Sequence, residues 1–358
     1  MKHNVSTSNK VYDDLVNFAV KAAKEKNILP SRYVFVLTNL CNLKCSFCFQ
    51  ERKKRADRME TEDWLKLLSQ IPNNSRITMT GGEPLVYKGF EKIFRKANQK
   101  NTTNIVTNGV LLNSDNINVF LREKNFKILG ISIDEIGGAN RDFKKNQWND
   151  LVKNIDTFIK KRNDVNHLCS LDIKSVVLEE NIDNLFELHR YACEELKCDT
   201  HSLQLLKGAE IQHSDIMFDF KDIDKNYTAY KYQNIENLLS QLEKIRKYNL
   251  ANNKQTFLHP NFLSLNSEIK IDISNLNILN EKKHVAKNFA KCLSPWASVH
   301  INVDGNLFPC MAVAMGNVKK ENLNDIIFSD KFKNFKDIIE EKGTISGCNR
   351  CGWLKPKI

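Results

Sequence analysis

Three cysteines stand within eight residues in "CNLKCSFC" (41–48): Cys41, Cys45 and Cys48, with Phe47 directly before the third. Thiolates at such spacing hold metal, and a structural zinc site normally takes four protein ligands, often as two separated pairs. Three ligands on one short loop suit a [4Fe–4S] cluster with one iron left open to a small molecule, because thiolates are the usual cluster ligands. Spacing alone leaves zinc open as the alternative. Four more cysteines come late in the chain. Cys292 and Cys310 are separated by seventeen residues, and "CNRC" supplies Cys348 and Cys351. The other three of the ten, Cys169, Cys193 and Cys198, stand apart and read as buried apolar filler.

The elements that must position these thiols are legible from residue 33 onward, where β-rich runs alternate with stretches of helical period. The runs are "YVFVLT" (33–38), "RITMT" (76–80), "TNIVT" (103–107), "ILGISI" (128–133), "SLDIKSVVL" (170–178) and "HSLQLL" (201–206). Helices are predicted near 60–70, 87–100, 113–124, 147–162 and 182–196, with a leading helix over 10–27. This alternation specifies an α/β fold with a parallel sheet, and six units suggest a partial (β/α)6 TIM-like barrel. Functional groups should gather at the C-terminal ends of its strands, where Cys41 follows the first run.

Residues 207–291 break the rhythm and read as a polar insertion or connecting region with one helix around 231–250. Past 290, "WASVHINVDGNLFPC" alternates like a β-hairpin with "DG" as its turn. The expected organisation is an N-terminal helical extension (1–32), the barrel (33–206), the connecting region (207–291) and a small cysteine-bearing β-hairpin/α appendage (292–358).

The chain has 358 residues, 41% of them apolar, enough for a sizeable core. The longest apolar runs are strand-sized, so no membrane partner is expected. The opening residues lack the apolar stretch of a signal peptide, so a cytoplasmic location is expected, where thiols stay reduced. The net charge of +11 could attract nucleic acid, an acidic peptide or a phosphorylated metabolite. Lys, Asn and Ile are abundant throughout, however, so many lysines are simply solvated. The densest basic cluster, "ERKKRADR" (51–58), follows the cysteine loop and could line its mouth.

The CxxxCxxC spacing with an aromatic before its last cysteine resembles the signature of radical S-adenosylmethionine (SAM) enzymes. In that family the signature follows the first strand of a partial barrel, and a glycine-rich motif follows the second. Here "TGGEP", Thr80-Gly81-Gly82-Glu83-Pro84, occupies the second place. Glycines let backbone carbonyls approach a ligand closely, and an ammonium group needs carbonyl and carboxylate acceptors. The resemblance therefore implies that this segment holds the SAM amino group. It likewise assigns Asn108, Ser132, Asp134 and, on the fifth run, Lys174 to the SAM ribose and carboxylate, against turn formation and strand capping as the plainer roles.

Cys292, Cys310, Cys348 and Cys351 resemble the SPASM/twitch appendage of the same enzymes, where such cysteines ligate auxiliary [4Fe–4S] clusters. Four thiolates saturate one cluster, a departure toward the shorter twitch form; structural zinc is the competing occupant. The implied activity is reductive cleavage of SAM to a 5′-deoxyadenosyl radical that takes a hydrogen atom from a substrate. A donor such as flavodoxin or ferredoxin would supply the electron, and the auxiliary cluster would relay another. Family members of this build oxidise sugar or aminocyclitol alcohols, or modify ribosomally made peptides. Only some thirty residues precede the first strand, too few for a leader-binding winged helix, which tilts the expectation toward a small polar metabolite. Gln204 should face the substrate, and His300 reads as a strand residue. The reading from another class is a non-catalytic zinc protein binding nucleic acid.

Overall fold

The alternation of strand and helix builds a parallel sheet in the computed structural model, which describes residues 5–25, 27–48, 50, 57–206, 219–223, 230–260, 265–266, 289–310, 313–345, 348 and 351–354. The first six strands are β1 (Arg32–Val36), β2 (Arg76–Thr80), β3 (Thr102–Thr107), β4 (Phe126–Ser132), β5 (Ser170–Val177) and β6 (Thr200–Leu205). Each pairs in parallel with the next. The helices that cross between them are α2 (Thr61–Gln70), α3 (Phe90–Asn98), α4 (Ser114–Arg122), α5 (Lys145–Asp164) and α6 (Leu185–Glu194), preceded by α1 (Val5–Glu25).

Period-two patterning sorts each strand's side chains. Tyr33, Phe35, Ile77 and Met79 are fully buried on the face turned to the helices, and Phe35 lies 4.8 Å from Trp64 of α2, ring to ring. Phe94, Phe120 and Phe126 pack edge-on or tilted at 5.4 Å beneath α3 and α4. The opposite face is polar: Arg32, Arg76, Thr78, Asn104, Asp172 and Ser202 line an internal cavity. A barrel packed with branched apolar side chains would leave no such space. Local signals set the ends: the Asp63 carboxylate accepts the Glu60 N–H at 2.9 Å, and Asn113 caps α4 through the Asn116 N–H at 2.9 Å.

The sheet runs further than six strands. Within the expected insertion, α7 (Ile235–Asn252) leads into β7 (Thr256–His259), which pairs in parallel with β6. "TFLH" is too short to stand out by pattern, yet it continues the alternation by one unit. The rest of the insertion call, 207–218, 224–229, 261–264 and 267–288, lies outside the described residues.

The C-terminal hairpin joins the other edge. β8 (Ser298–Ile301) pairs in parallel with β1, and β9 (Asn306–Phe308) and β10 (Gly316–Asn317) add antiparallel to it. The order in the ten-stranded sheet is β10-β9-β8-β1-β2-β3-β4-β5-β6-β7. Its turn uses Gly305 at φ +85°, and the Asn306 N–H donates to Asp304 at 3.1 Å. His300 is a buried strand residue packed on Phe308. Leu15 and Ala19 of α1 pack against Ala297, so the leading helix braces the start of the appendage. No helix among the described residues is long and apolar enough to cross a membrane.

Candidate active site

The cysteine loop leaves β1 through Thr38-Asn39-Leu40, and the chain after β2 runs directly against it. The Gly82 N–H donates to the Thr38 carbonyl at 2.6 Å and the Glu83 N–H to the Leu40 carbonyl at 2.8 Å. A Cβ at Gly81 would stand 2.3 Å from the Thr38 oxygen, and one at Gly82 2.3 Å from the Leu40 oxygen. Gly81 also sits at φ +149°. The two glycines of "TGGEP" thus let one loop lie on the other.

Glu83 is fully buried, and Pro84 opens a 3₁₀ turn behind it. The Glu83 carboxylate accepts the Thr107 hydroxyl at 2.7 Å, the Asn108 N–H at 2.8 Å and the Leu85 N–H at 3.0 Å. Burial pushes its pKa up to about 7 against the pull of these donors. Glu83 therefore ties the β2 loop to the end of β3. From that end Asn108 reaches back, its amide donating to Asn42 at 2.8 Å and lying 3.6 Å from the Cys41 sulfur. The Leu43 N–H points at the same sulfur at 3.4 Å.

On the other side stands a residue the sequence reading passed over. Arg141 follows β4 in a tight loop with Gly137, Gly138 and Asp142 at positive φ. Its guanidinium pairs with the buried Asp134 at 2.7 Å and lies over the Phe47 ring at 5.4 Å. Its carbonyl accepts the Cys45 thiol at 3.8 Å. Burial pushes the Cys45 and Cys41 thiols up, while the Arg141 charge draws Cys45 back down. Asp134 also accepts the Val176 N–H at 2.7 Å, so its carboxylate ties β4 to β5 and to the arginine.

Ser132 and Lys174 are register partners on β4 and β5 and both line the cavity. Lys174 pairs with Asp172, which also accepts the Thr200 and Ser202 hydroxyls at 2.9 Å each. The lysine thus sits in the lumen with Ser132. Gln204 lines the same cavity.

Of the late cysteines, Cys348 and Cys351 share one turn, the Cys351 N–H donating to the Cys348 carbonyl at 3.0 Å. Cys351 is an electrostatic neighbour of Cys292, whose thiol burial pushes up to about 12. Cys351 also neighbours Arg32. Cys310 follows β9. The cavity, ≈ 500 Å³, touches Arg141 beside Cys45 and reaches Arg32 beside Cys351. It lies between the two cysteine groups.

Cys41, Cys45 and Cys48 are mutual electrostatic neighbours, with N–H donors aimed at one sulfur and a cation beside another. Among the described residues no three His, Cys, Asp or Glu side chains converge on a single-ion position. Three neighbouring thiols with N–H donors at one sulfur suit a [4Fe–4S] cluster, whose usual ligands are thiolates. Residues 35–192 match the model of the radical SAM superfamily, and residues 292–352 match that of the SPASM iron–sulfur cluster-binding domain.

Residues 35–192 are a radical SAM domain and residues 292–352 a SPASM domain. The chain is similar to the uncharacterized protein MJ0907 of Methanocaldococcus jannaschii, 29% identical over 203 residues that cover 54% of this chain and 68% of that one. It is also similar to the sporulation killing factor maturation protein SkfB of Bacillus subtilis, 31% identical over 110 residues. That match covers 30% of this chain and about a quarter, 27%, of SkfB. Among solved structures, Streptococcus suis SuiB bound to its precursor peptide SuiA shares the fold, with a TM-score of 0.59 at 19% identity over 94% of this chain and 73% of that one. Radical SAM enzymes work with a [4Fe–4S] cluster and SAM, and SPASM domains bind auxiliary iron–sulfur clusters, so the non-catalytic zinc protein is set aside.

Of the residues missed by sequence reading, Arg32, Arg76 and Arg141 left a trace. An arginine opens both β1 and β2, and Arg141 follows a Gly-Gly pair just past "SID".

Proposed function

We propose that this radical SAM enzyme modifies a ribosomally made peptide, with Cys41, Cys45 and Cys48 holding the SAM-binding cluster and Cys292, Cys310, Cys348 and Cys351 holding one auxiliary cluster. The observation that carries it is the cavity, which adjoins Arg141 beside Cys45 at one side and Arg32 beside Cys351 at another. The two groups, when bound, supply one-electron cleavage of SAM and acceptance of a second electron, as in an oxidation. The chain's own residues do the rest. Gly81 and Gly82 free the backbone at the SAM corner, Glu83 fixes Asn108 against Cys41, and Arg141 braces Phe47 and Cys45 against Asp134.

The likeness to the maturation protein SkfB and to the precursor-bound SuiB favours a peptide over a small polar metabolite. A flavodoxin or ferredoxin would supply the electron. A small polar metabolite remains the second reading, because the lumen is lined by Thr78, Asn104, Thr200 and Ser202 and is of small-ligand size. Anaerobic incubation with deuterated precursor peptides and with deuterated sugars or aminocyclitols separates the two. The proposal expects label to pass from a peptide into 5′-deoxyadenosine; label arriving only from the metabolites would replace it.

A further inference from the structure

The lower end of the lumen holds two arginines with no carboxylate partner among the described residues. Arg32 and Arg76 are register partners on β1 and β2, which places their backbones about 4.8 Å apart. Both side chains line the cavity. Asp172, the acid among the described residues that line the lumen, is already engaged with Lys174, and Asp134 beside it is held by Arg141. Arg32 donates to the Ser298 hydroxyl at 2.8 Å and lies over the Trp353 ring at 5.5 Å. Among the described residues no carboxylate pairs with either arginine, and the Nε of each is buried without an acceptor.

Like charges on adjacent strands repel, and a buried donor left unmade costs the full desolvation of that group. The strain is visible in Arg76, whose guanidinium is held well below its ordinary pKa, first by burial and then by Arg32. Arg32 also faces Cys351, whereas the charge acting on Arg76 among the described residues is that of Arg32.

We propose that Arg32 and Arg76 form a carboxylate-binding subsite at the base of the lumen that anchors an acidic group of the substrate. Paired guanidinium forks match a carboxylate's two oxygens, and such charge-assisted bonds are roughly twice as strong as neutral ones. Ile105, Ile128 and Phe257 line the same cavity and accept an aliphatic stem, which suits an organic acid better than a bare phosphate. The proposal rests on the functional reading only in taking the lumen as the substrate's place. In a peptide the carboxylate comes from an acidic side chain or from the C-terminus.

The test is equilibrium dialysis of the anaerobically reconstituted full chain with labelled N-acetylglutamate α-amide and its neutral isostere N-acetylglutamine α-amide. N-acetylglycine with its amide, and inorganic phosphate, complete the set. Wild type should hold the glutamyl or the glycyl acid about tenfold more tightly than its amide, as one lost charge-assisted pair implies. Preference for the glycyl acid assigns the subsite to a terminal carboxylate, and preference for the glutamyl acid assigns it to a side chain. Arg76→Met should erase the preference. If that variant does not fold by circular dichroism, Arg76→Lys keeps the charge without the fork and should still lose it severalfold. Equal binding of acid and amide, tighter binding of phosphate, or a preference surviving in a folded variant would overturn the proposal. No turnover is read, so the outcome stands whether or not a peptide proves to be the substrate.

Discussion

At the residue scale the site rests on two buried acids doing different work. Glu83 is pushed up to about 7 by burial, so its proton is held more tightly in the folded chain than in the unfolded one. Stability should therefore fall as pH rises from about 4.5 to about 7 and stay level above, by on the order of 3 kcal/mol at most. Urea titrations at pH 5 and pH 8 read this difference, and Glu83→Gln should flatten it. A slope unchanged in the variant would remove Glu83 as its source. Asp134 depends on Arg141, and stripping one member of such a pair leaves a buried charge at a cost of about 3–5 kcal/mol. Arg141→Met should lower the melting temperature and the iron held after reconstitution. Adding Asp134→Asn should restore part of the stability. Additive losses in the double variant would show that the pair is not coupled. The cysteine signature was readable because thiolate spacing is chemistry written locally. Arg141 was not, because its partners Asp134 and Phe47 meet it only after the β4 loop turns back.

At the element scale, two loops touching decide whether the cysteines are presented at all. The β2 loop adds hydrogen bonds to Thr38 and Leu40 through glycines that admit no Cβ. Gly82→Ala must push the Leu40 carbonyl aside, an overpacking that costs about 1–3 kcal/mol and is felt first at the cysteine loop. Iron per reconstituted chain should fall by about half, losing one [4Fe–4S] cluster's worth, while far-ultraviolet circular dichroism is retained. Full iron content in that variant would contradict the role given to the glycine. The six strands of the core were legible from their runs, because period-two burial against helices leaves a strong pattern. β7 was not: four residues, half of them facing a polar lumen, carry no such pattern and acquire strand geometry only by pairing with β6.

At the scale of the whole molecule, one sheet carries both cysteine groups. β8 adds to β1, so strand pairing brings the segment between Cys292 and Cys310 to one edge of the sheet, while β7 extends the other edge at β6. A change of texture near residue 290 marks the appendage in the sequence, but texture says nothing of sheet edges. An open parallel sheet leaves unpaired groups on β1, and the hairpin satisfies them. The central claim is that Cys41, Cys45 and Cys48 leave one iron free for SAM while the late cysteines leave none. Mössbauer spectra of the reconstituted full chain, with and without SAM, test it most directly, in wild type and with Cys348 and Cys351 both replaced by Ala. The account predicts about eight irons in wild type and about four in the variant, with a single iron changing its spectrum on SAM addition in both. Spectra that SAM leaves untouched in both proteins would contradict it.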